Sequence, residues 1–201
     1  MNRVICVYSS SSNLVDKKYF DMAEELGTAI AKSGDIFLYG GGVIGLMGAS
    51  AKAARAAGGR VIGVIPERLN IKGVVYECCD ELIEAPGLRE RKSVMDSRSD
   101  AFIALPGGFG TLEELMEMIT LKQLKYHAKP IVILNAGGFY DHLVELFDTF
   151  VQNNFVHGEY RDLYFITENV EEAIRYIDGY VPQQYEDKWV TTRKTEEFLE
   201  D

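Results

Sequence analysis

The sequence has few cysteines, prolines and histidines, and each shortage excludes a class of protein. Its three cysteines include the adjacent pair Cys78-Cys79, whose spacing suits neither a disulfide framework nor zinc, so reduced thiols are expected. The three histidines, His127, His142 and His157, stand apart without the i, i+4 spacing of a metal site, and we expect no metal. With five prolines and no low-complexity tract the sequence offers no linker, so its 201 residues predict a single domain.

Positive charge is also in short supply. Lysine and arginine number 21 against 31 aspartates and glutamates, which gives a formal net charge of −10. We do not expect such a chain to bind nucleic acid or anionic membranes non-specifically, although a small anion could still bind in a locally basic pocket. The longest apolar runs are strand-sized, so no transmembrane segment is predicted. Residues 1–8 are typical of a first strand rather than a secretion signal, and cytoplasmic localisation is expected.

Strand-like and helix-like segments alternate along most of the chain. Apolar runs of strand length lie at Val4–Tyr8, Ile36–Tyr39, Arg60–Ile65, Ala101–Leu105, Ile131–Leu134 and Leu163–Ile166. Segments with helical spacing lie at about 15–32, 45–57, 88–97, 111–125, 140–153 and 168–178. This alternation predicts an α/β protein with a Rossmann-like three-layer α/β/α architecture and a doubly wound, mainly parallel sheet. We expect residues 1–182 to form this domain and residues 183–201 to form a polar, acidic tail.

The most informative segment runs from Pro106 to Glu114 and reads P-G-G-F-G-T-L-E-E, directly after an apolar run. This order predicts a buried strand, a glycine turn and the start of a helix. The first N–H groups of a helix have no intrahelical partner and attract an anion, and glycine lets the backbone approach that anion closely. Glu113 and Glu114 stand one turn inside this site. An acidic first turn is common helix capping, but a carboxylate beside a phosphate pocket could also be a catalytic group.

An earlier glycine turn follows the run Ile36–Tyr39. Gly40, Gly42 and Gly45 satisfy the dinucleotide pattern G-x-G-x-x-G between a predicted strand and a predicted helix, and Glu67 could serve as the ribose-binding acid. The same glycines are typical of tight packing between a strand and a helix, and this turn follows the second strand rather than the first. A nicotinamide-dependent oxidoreductase is therefore an alternative interpretation, not the favoured one.

A basic segment, Leu88 to Met95, precedes the strand of the signature turn. If its helix lies beside Gly107–Thr111, Arg91 or Lys92 could bind a phosphate, arginine through a planar bidentate contact. The alternative is a solvated basic face that balances nearby glutamates. The position of Arg91 and Lys92 just before the signature strand favours a functional role.

Together these motifs resemble those of the Lonely Guy (LOG) family, the cytokinin riboside 5′-monophosphate phosphoribohydrolases. The family's P-G-G-x-G-T-x-x-E signature is matched from Pro106 to Glu114, its R-K pair by Arg91-Lys92, and its G-G-x-x-G-L-M-G turn by residues 41–48. The likeness extends from about residue 3 to residue 180. Members often carry a lysine decarboxylase label, which this chain does not support, since no lysine stands in a recognisable pyridoxal-phosphate setting.

The resemblance implies a role for each matched residue. Arg91 and Glu114 would be catalytic, and the substrate would be held by Lys92, Gly107, Gly108, Gly110, Thr111, Thr120 and Gly42. The resemblance also implies a homodimer with its active site near the subunit interface, to which exposed Phe139, Tyr140 and a helix over Leu121–Tyr126 would contribute. No cofactor and no metal are expected.

The implied reaction is hydrolysis of the N-glycosidic bond of adenosine 5′-monophosphate or an N6-modified form, releasing the free base and ribose 5-phosphate. Glu114 would stabilise the oxocarbenium-like C1′ or activate water, as carboxylates do in glycoside hydrolysis. Arg91 would stabilise charge near the phosphate or the departing base. A non-catalytic nucleotide sensor is the alternative that would keep the glycine turns and Arg91-Lys92 without needing Glu114.

Overall fold

The computed structural model of the protein describes residues 2–183, in which seven strands and six α-helices alternate. The strands are β1 (Val4–Tyr8), β2 (Ile36–Tyr39), β3 (Val61–Pro66), β4 (Glu81–Ala85), β5 (Ala101–Ala104), β6 (Ile131–Leu134) and β7 (Phe165–Thr167). The helices are α1 (Lys17–Lys32), α2 (Gly45–Ala56), α3 (Leu88–Arg98), α4 (Phe109–Gln123), α5 (Asp141–Gln152) and α6 (Val170–Asp178). The predicted tail lies outside the described residues except for its first residue, Gln183.

All seven strands form one parallel sheet in the order β4-β3-β2-β1-β5-β6-β7. The chain builds the sheet outward from β1 in one direction up to β4, then returns to pair β5 against the other edge of β1. This reversal opens a crevice beyond the carboxyl ends of β1 and β5, where ligands bind in sheets of this kind. The signature turn follows β5 and therefore lies at this crevice.

Helices cover both faces of the sheet, which confirms the predicted three-layer architecture. On one face α1, α2 and α6 bury an apolar cluster that includes Leu26, Leu46 and Ile177. On the other face α3, α4 and α5 bury a second cluster that includes Met95, Leu115 and Phe147. The central strands are buried on both faces because both helical layers pack against them, which explains their continuous apolar runs.

One strand, β4, has no counterpart among the predicted elements, and some predicted boundaries lie a few residues from those observed. Residues Glu81–Ala85 alternate half-buried and exposed positions up to the buried Ala85, and they pair only with β3, at the edge of the sheet. Glutamate is disfavoured in strands and the segment lacks a continuous apolar run, so the sequence carries little strand signal there. Helix α4 begins two residues earlier than predicted, at Phe109, inside the glycine turn itself.

Candidate active site

The centre of the candidate site is an ion pair between Arg91 on α3 and Glu114 on α4. Arg91 Nη1 donates to Glu114 Oε1 at 2.8 Å, and the two side chains are only 11% and 13% exposed. The pair joins two helices on the same face of the sheet. The two side chains predicted to be catalytic are therefore in contact.

The Arg91 guanidinium is held from three sides. Its Nε donates to the backbone oxygen of Val64, in the second half of β3, at 2.9 Å. Gly40, which follows β2, faces the guanidinium so closely that a Cβ added there would lie 2.0 Å from Arg91 Nη2. The first glycine turn therefore leaves space for Arg91, a reason for glycine at position 40 that the sequence alone did not reveal.

Burial and the arginine act against each other on the Glu114 carboxyl. Burial raises the pKa of Glu114 above its ordinary value of 4.5, while the charge and hydrogen bond of Arg91 lower it. Cys6 and Tyr8 lie on β1 within the electrostatic reach of this carboxylate. Burial, reinforced by the charge of Glu114, raises the pKa of the Cys6 thiol to about 12, so this cysteine is protonated and unsuited to nucleophilic chemistry.

Lys92 is paired with two carboxylates. Its Nζ forms ion pairs with Glu113 and, at 2.8 Å, with Glu117, both on α4. These contacts lie beside the Arg91–Glu114 pair and join the same two helices. Glu117 was not singled out from the sequence, although its position three residues after Glu114 places it on the same helical face.

The signature turn presents open backbone at the start of α4. The first N–H bonded inside the helix is that of Leu112, which donates to the Gly108 oxygen at 3.0 Å, and no side chain caps this terminus. A Cβ added at Gly108 or Gly110 would meet no atom within 4 Å, whereas one at Gly107 would lie 2.1 Å from Thr111 Oγ1. Gly107 is required for packing, and the N–H groups at 109–111 are available to an anion.

A cavity of about 270 Å³ adjoins this turn at the crevice between β1 and β5. It is lined by Ser10, Val15, Tyr19, Leu46, Pro106, Gly107, Gly108 and Phe139. Ser10 N donates to the Pro106 oxygen at 3.3 Å and so ties the loop after β1 to the signature turn. The lining is mainly apolar and aromatic apart from the turn, a chemistry suited to a flat ring carried on a charged tail.

The first glycine turn is occupied by the protein's own groups. Gly45 N donates to Asn13 Oδ1 at 2.8 Å and Met47 N donates to the Ser10 oxygen at 3.2 Å, so two N–H groups at the start of α2 are already bonded. A Cβ on Gly45 would lie 2.5 Å from the Ser11 carbonyl carbon. Gly42 is buried and forms an antiparallel bridge with Val75. These contacts favour the packing interpretation of the turn over dinucleotide binding.

Thr120 lies apart from the signature turn, and Tyr140 is not exposed. Thr120 is on α4, nine residues beyond Thr111, where it lines an apolar groove formed with α5 and the turn Gly158–Leu163. Tyr140, predicted to be exposed, is wrongly assigned: it is 5% exposed and donates its hydroxyl to the Leu105 oxygen at 2.8 Å. The predicted helix over Leu121–Tyr126 also ends early, because α4 stops at Gln123 and Lys125 has a positive φ of 63°.

Residues 2–183 contain no cluster of three or more histidine, cysteine, aspartate or glutamate side chains arranged to hold a metal ion. In the same range no helix is long and apolar enough to cross a membrane. His142 is exposed, and His127 contacts the Met118 oxygen at 3.0 Å through Nε2.

Comparison with known proteins gives consistent results. A family model described as "Possible lysine decarboxylase" matches residues 47–177. The chain is 42% identical over 181 residues to the cytokinin riboside 5′-monophosphate phosphoribohydrolase LOG of Oryza sativa subsp. japonica, covering 90% of this chain and 75% of that protein. It is 37% identical over 198 residues to LOG2 of Arabidopsis thaliana, which bears the same enzyme name, covering 98% of this chain and 93% of that protein.

Solved structures also resemble it. The molybdenum cofactor carrier protein of Chlamydomonas reinhardtii superposes with a TM-score of 0.67 at 26% identity, covering 89% of this chain and 97% of that chain. The matched family segment exceeds half of the sequence, and the plant relatives are well above 30% identical over most of their length. The chain therefore belongs to the LOG family, the group whose shared domain carries the lysine decarboxylase description.

Proposed function

We propose that this protein is a nucleoside 5′-monophosphate phosphoribohydrolase acting on adenosine 5′-monophosphate or an N6-modified form. It would hydrolyse the N-glycosidic bond and release the free base and ribose 5-phosphate, without a metal or cofactor. The observation that carries the proposal is the largely buried Arg91–Glu114 pair at 2.8 Å, at the carboxyl edge of the sheet near an open helix start. The names of the LOG relatives support the same reaction.

The chemistry fits a carboxylate held by an arginine. As the glycosidic bond breaks, positive charge develops on ribose C1′ and negative charge on the departing base. Glu114 stabilises the C1′ charge or takes a proton from the attacking water, whose oxygen bonds to C1′ while the base nitrogen gains a proton. Arg91 keeps Glu114 oriented and offers positive charge to the phosphate or to the leaving base.

The 5′-phosphate fits the start of α4. The open N–H groups at 109–111 and the helix dipole favour a bound anion, and nothing crowds Gly108 or Gly110. Lys92 contributes positive charge nearby, but its two carboxylate partners make it mainly a link between α3 and α4 unless the phosphate displaces one of them. Binding energy from the phosphate would position the sugar, so a free nucleoside should be a poor substrate.

The decisive experiment replaces Glu114 with glutamine, which keeps the shape and removes the charge. We expect the Glu114→Gln enzyme to bind adenosine 5′-monophosphate while release of ribose 5-phosphate falls by about a hundredfold or more. Glu113→Gln is the matched control, since it removes a neighbouring charge from the same helical turn; its turnover should stay close to that of the wild type.

Turnover of Glu114→Gln within about threefold of the wild type would remove Glu114 from the mechanism. A wild-type protein that binds the nucleotide but releases no ribose 5-phosphate would instead be the nucleotide sensor. That alternative draws support from the structural likeness to a cofactor carrier protein. Tight binding of nicotinamide adenine dinucleotide, measured by thermal-shift titration, would favour the oxidoreductase.

We also propose a homodimer. Helices α4 and α5 form an apolar groove lined by Thr120, Phe147, Phe150, Val151, Tyr164 and neighbouring residues. Thr120 lies about 13 Å along α4 from Thr111 at 1.5 Å per residue, so the role implied for it in substrate binding requires a second subunit near this groove. We also propose cytoplasmic residence, and the net charge of −10 disfavours nucleic acid and anionic membranes as partners.

A further inference from the structure

A second cavity lies at the opposite end of α4 from the signature turn. It has a volume of about 500 Å³ and is lined by Lys122, Lys125, His127, Ala128, Tyr180, Pro182 and Gln183. Lys122 is eleven residues beyond Thr111 on the same helix, which at 1.5 Å per residue is about 16 Å away. The cavity is therefore separate from the proposed hydrolase site.

Lys122 is a buried cation to which no carboxylate within residues 2–183 is paired. The residue is 3% exposed, its Nζ donates to the Leu163 oxygen at 2.7 Å, and it lies 4.8 Å from the centre of the Tyr180 ring. Among residues 2–183 it forms no ion pair with a carboxylate. A buried ammonium group is costly unless charge or hydrogen bonds compensate it, and one carbonyl with one aromatic face compensates it incompletely.

The other polar side chains that line the cavity are those of Lys125, His127, Tyr180 and Gln183, none of which carries a negative charge. Lys125 adds a second ammonium group, and among residues 2–183 no acidic residue lines the cavity, in a chain whose net charge is −10. The Tyr180 hydroxyl is buried and has no hydrogen-bond partner within residues 2–183. His127 adds no charge, because burial lowers its pKa and its ring nitrogens contact the Met118 oxygen and the Lys129 N–H.

We propose that this cavity is an anion site that binds the oxyanion group of a small organic molecule, with Lys122 as its main cation and Tyr180 as a hydroxyl donor. The cavity is larger than a bare oxyanion needs, and its remaining walls, Ala128, Pro182 and the Tyr180 ring, suit an apolar or flat body attached to it. The ammonium of a lysine binds carboxylate or phosphate as a point charge. The site does not depend on the proposed hydrolase activity.

The same geometry makes binding sensitive to pH. Burial lowers the pKa of Lys122 to about 8, so part of its charge is already lost in mildly basic solution. The titratable groups that face it are Lys125, the largely neutral His127 and the Tyr180 phenol, whose pKa is raised by burial. Affinity for the anion should therefore fall as the pH rises through the pKa of Lys122.

The test is calorimetric titration of the full chain with benzoate and, separately, inorganic phosphate. We expect saturable binding of at least one probe, weakened by about tenfold or more in Lys122→Met, since a charged hydrogen bond is removed. Lys125→Met, a matched change on the exposed side of the cavity, should weaken it by only about twofold to threefold. Arg91→Met should leave this binding unchanged, which separates the site from the hydrolase site and from any failure there.

If Lys122→Met does not fold, a second variant still tests the proposal. Tyr180→Phe removes only the unpartnered hydroxyl, so the chain should keep its stability and lose about fivefold in affinity. In the wild type, affinity should drop by about tenfold between about pH 7 and about pH 9. Absence of binding by both probes, binding unaffected by Lys122→Met and Tyr180→Phe, or binding lost in Arg91→Met would each overturn the proposal.

Discussion

Glu114 is unusual at the scale of single residues because a carboxylate is held at a site that disfavours its charge. Burial raises its pKa and Arg91 only partly offsets that effect. A group with a raised pKa in the folded state contributes stability below its unfolded value of 4.5, and this contribution is lost as the pH rises through the folded value. The ionised Glu114 carboxylate, proposed to be catalytic, is therefore less favourable to the fold at neutral pH than its protonated form, a common feature of functional sites.

This sign gives a prediction for pH and stability. Glutamine mimics the protonated carboxyl at every pH, so Glu114→Gln should gain stability relative to the wild type between about pH 4 and about pH 7. Urea unfolding of both proteins at the two pH values measures the change. If the wild type instead became more stable relative to the variant as the pH rises, Arg91 would outweigh burial and the pKa of Glu114 would be lowered.

Gly107 and Gly108 are neighbours, but a side chain at position 107 would meet the protein whereas one at position 108 would not. Alanine substitutions should therefore affect stability at Gly107 and nucleotide binding at Gly108. A methyl group at Gly107 would overlap the Thr111 side chain at 2.1 Å, so Gly107→Ala should destabilise the protein by about 1–3 kcal/mol. Gly108→Ala places its methyl group in open space and should leave stability nearly unchanged while raising KM for the nucleotide, because it hinders approach of the phosphate. Urea unfolding and steady-state kinetics test the pair; equal stability of the two variants would contradict the packing role of Gly107.

At the scale of elements, α6 and the start of the sheet are tied together by Arg3. Its side chain pairs with Asp35 at 2.6 Å, just before β2, and with Asp178 at 2.5 Å, at the end of α6. The Asp35 side chain is only 5% exposed and also accepts from the Arg3 backbone N–H and the Ser33 hydroxyl. Removing the arginine would leave a buried carboxylate without its cation.

Arg3→Met should therefore lower the free energy of unfolding by about 3 kcal/mol, as expected when a buried ion pair loses one partner. Arg60→Met is the matched control, because Arg60 pairs with Glu81 while both side chains are much more exposed, and it should change stability by less than about 1 kcal/mol. Denaturant unfolding of the two variants at neutral pH makes the comparison. A similarly small loss of unfolding free energy in both variants would show that other groups compensate the charge of Asp35 without Arg3.

At the scale of the whole molecule, the proposed homodimer makes a prediction about mass. Light scattering after size-exclusion chromatography should give twice the mass of one chain. Thr120→Arg places a long charged side chain in the groove between α4 and α5 and should shift the protein toward the monomer. His142→Arg, an exposed change on α5 outside the groove, should leave the mass unchanged. A wild-type protein with the mass of a single chain would contradict the homodimer and the role of Thr120 in substrate binding.

The layered α/β fold and the signature turn were both predictable from the sequence. Both depend on local patterns: apolar runs of strand length, helical spacing, and glycines directly after a strand. It did not predict β4, because Glu81–Ala85 is a partly exposed edge strand whose pairing with β3 comes from neighbours distant in sequence. Nor did it predict that Tyr140 would be buried, since its hydroxyl bonds to an oxygen 35 residues away.

Contacts between side chains distant in sequence become visible only in the folded chain. Arg91 and Glu114 are 23 residues apart and touch because the sheet order places α3 and α4 side by side on one face. The same packing paired Lys92 with Glu113 and Glu117, and it buried Lys122 beside Tyr180. No sequence pattern predicted either contact. Motifs encode backbone turns because those depend on adjacent residues, whereas charge pairing and burial depend on the packing of the whole chain.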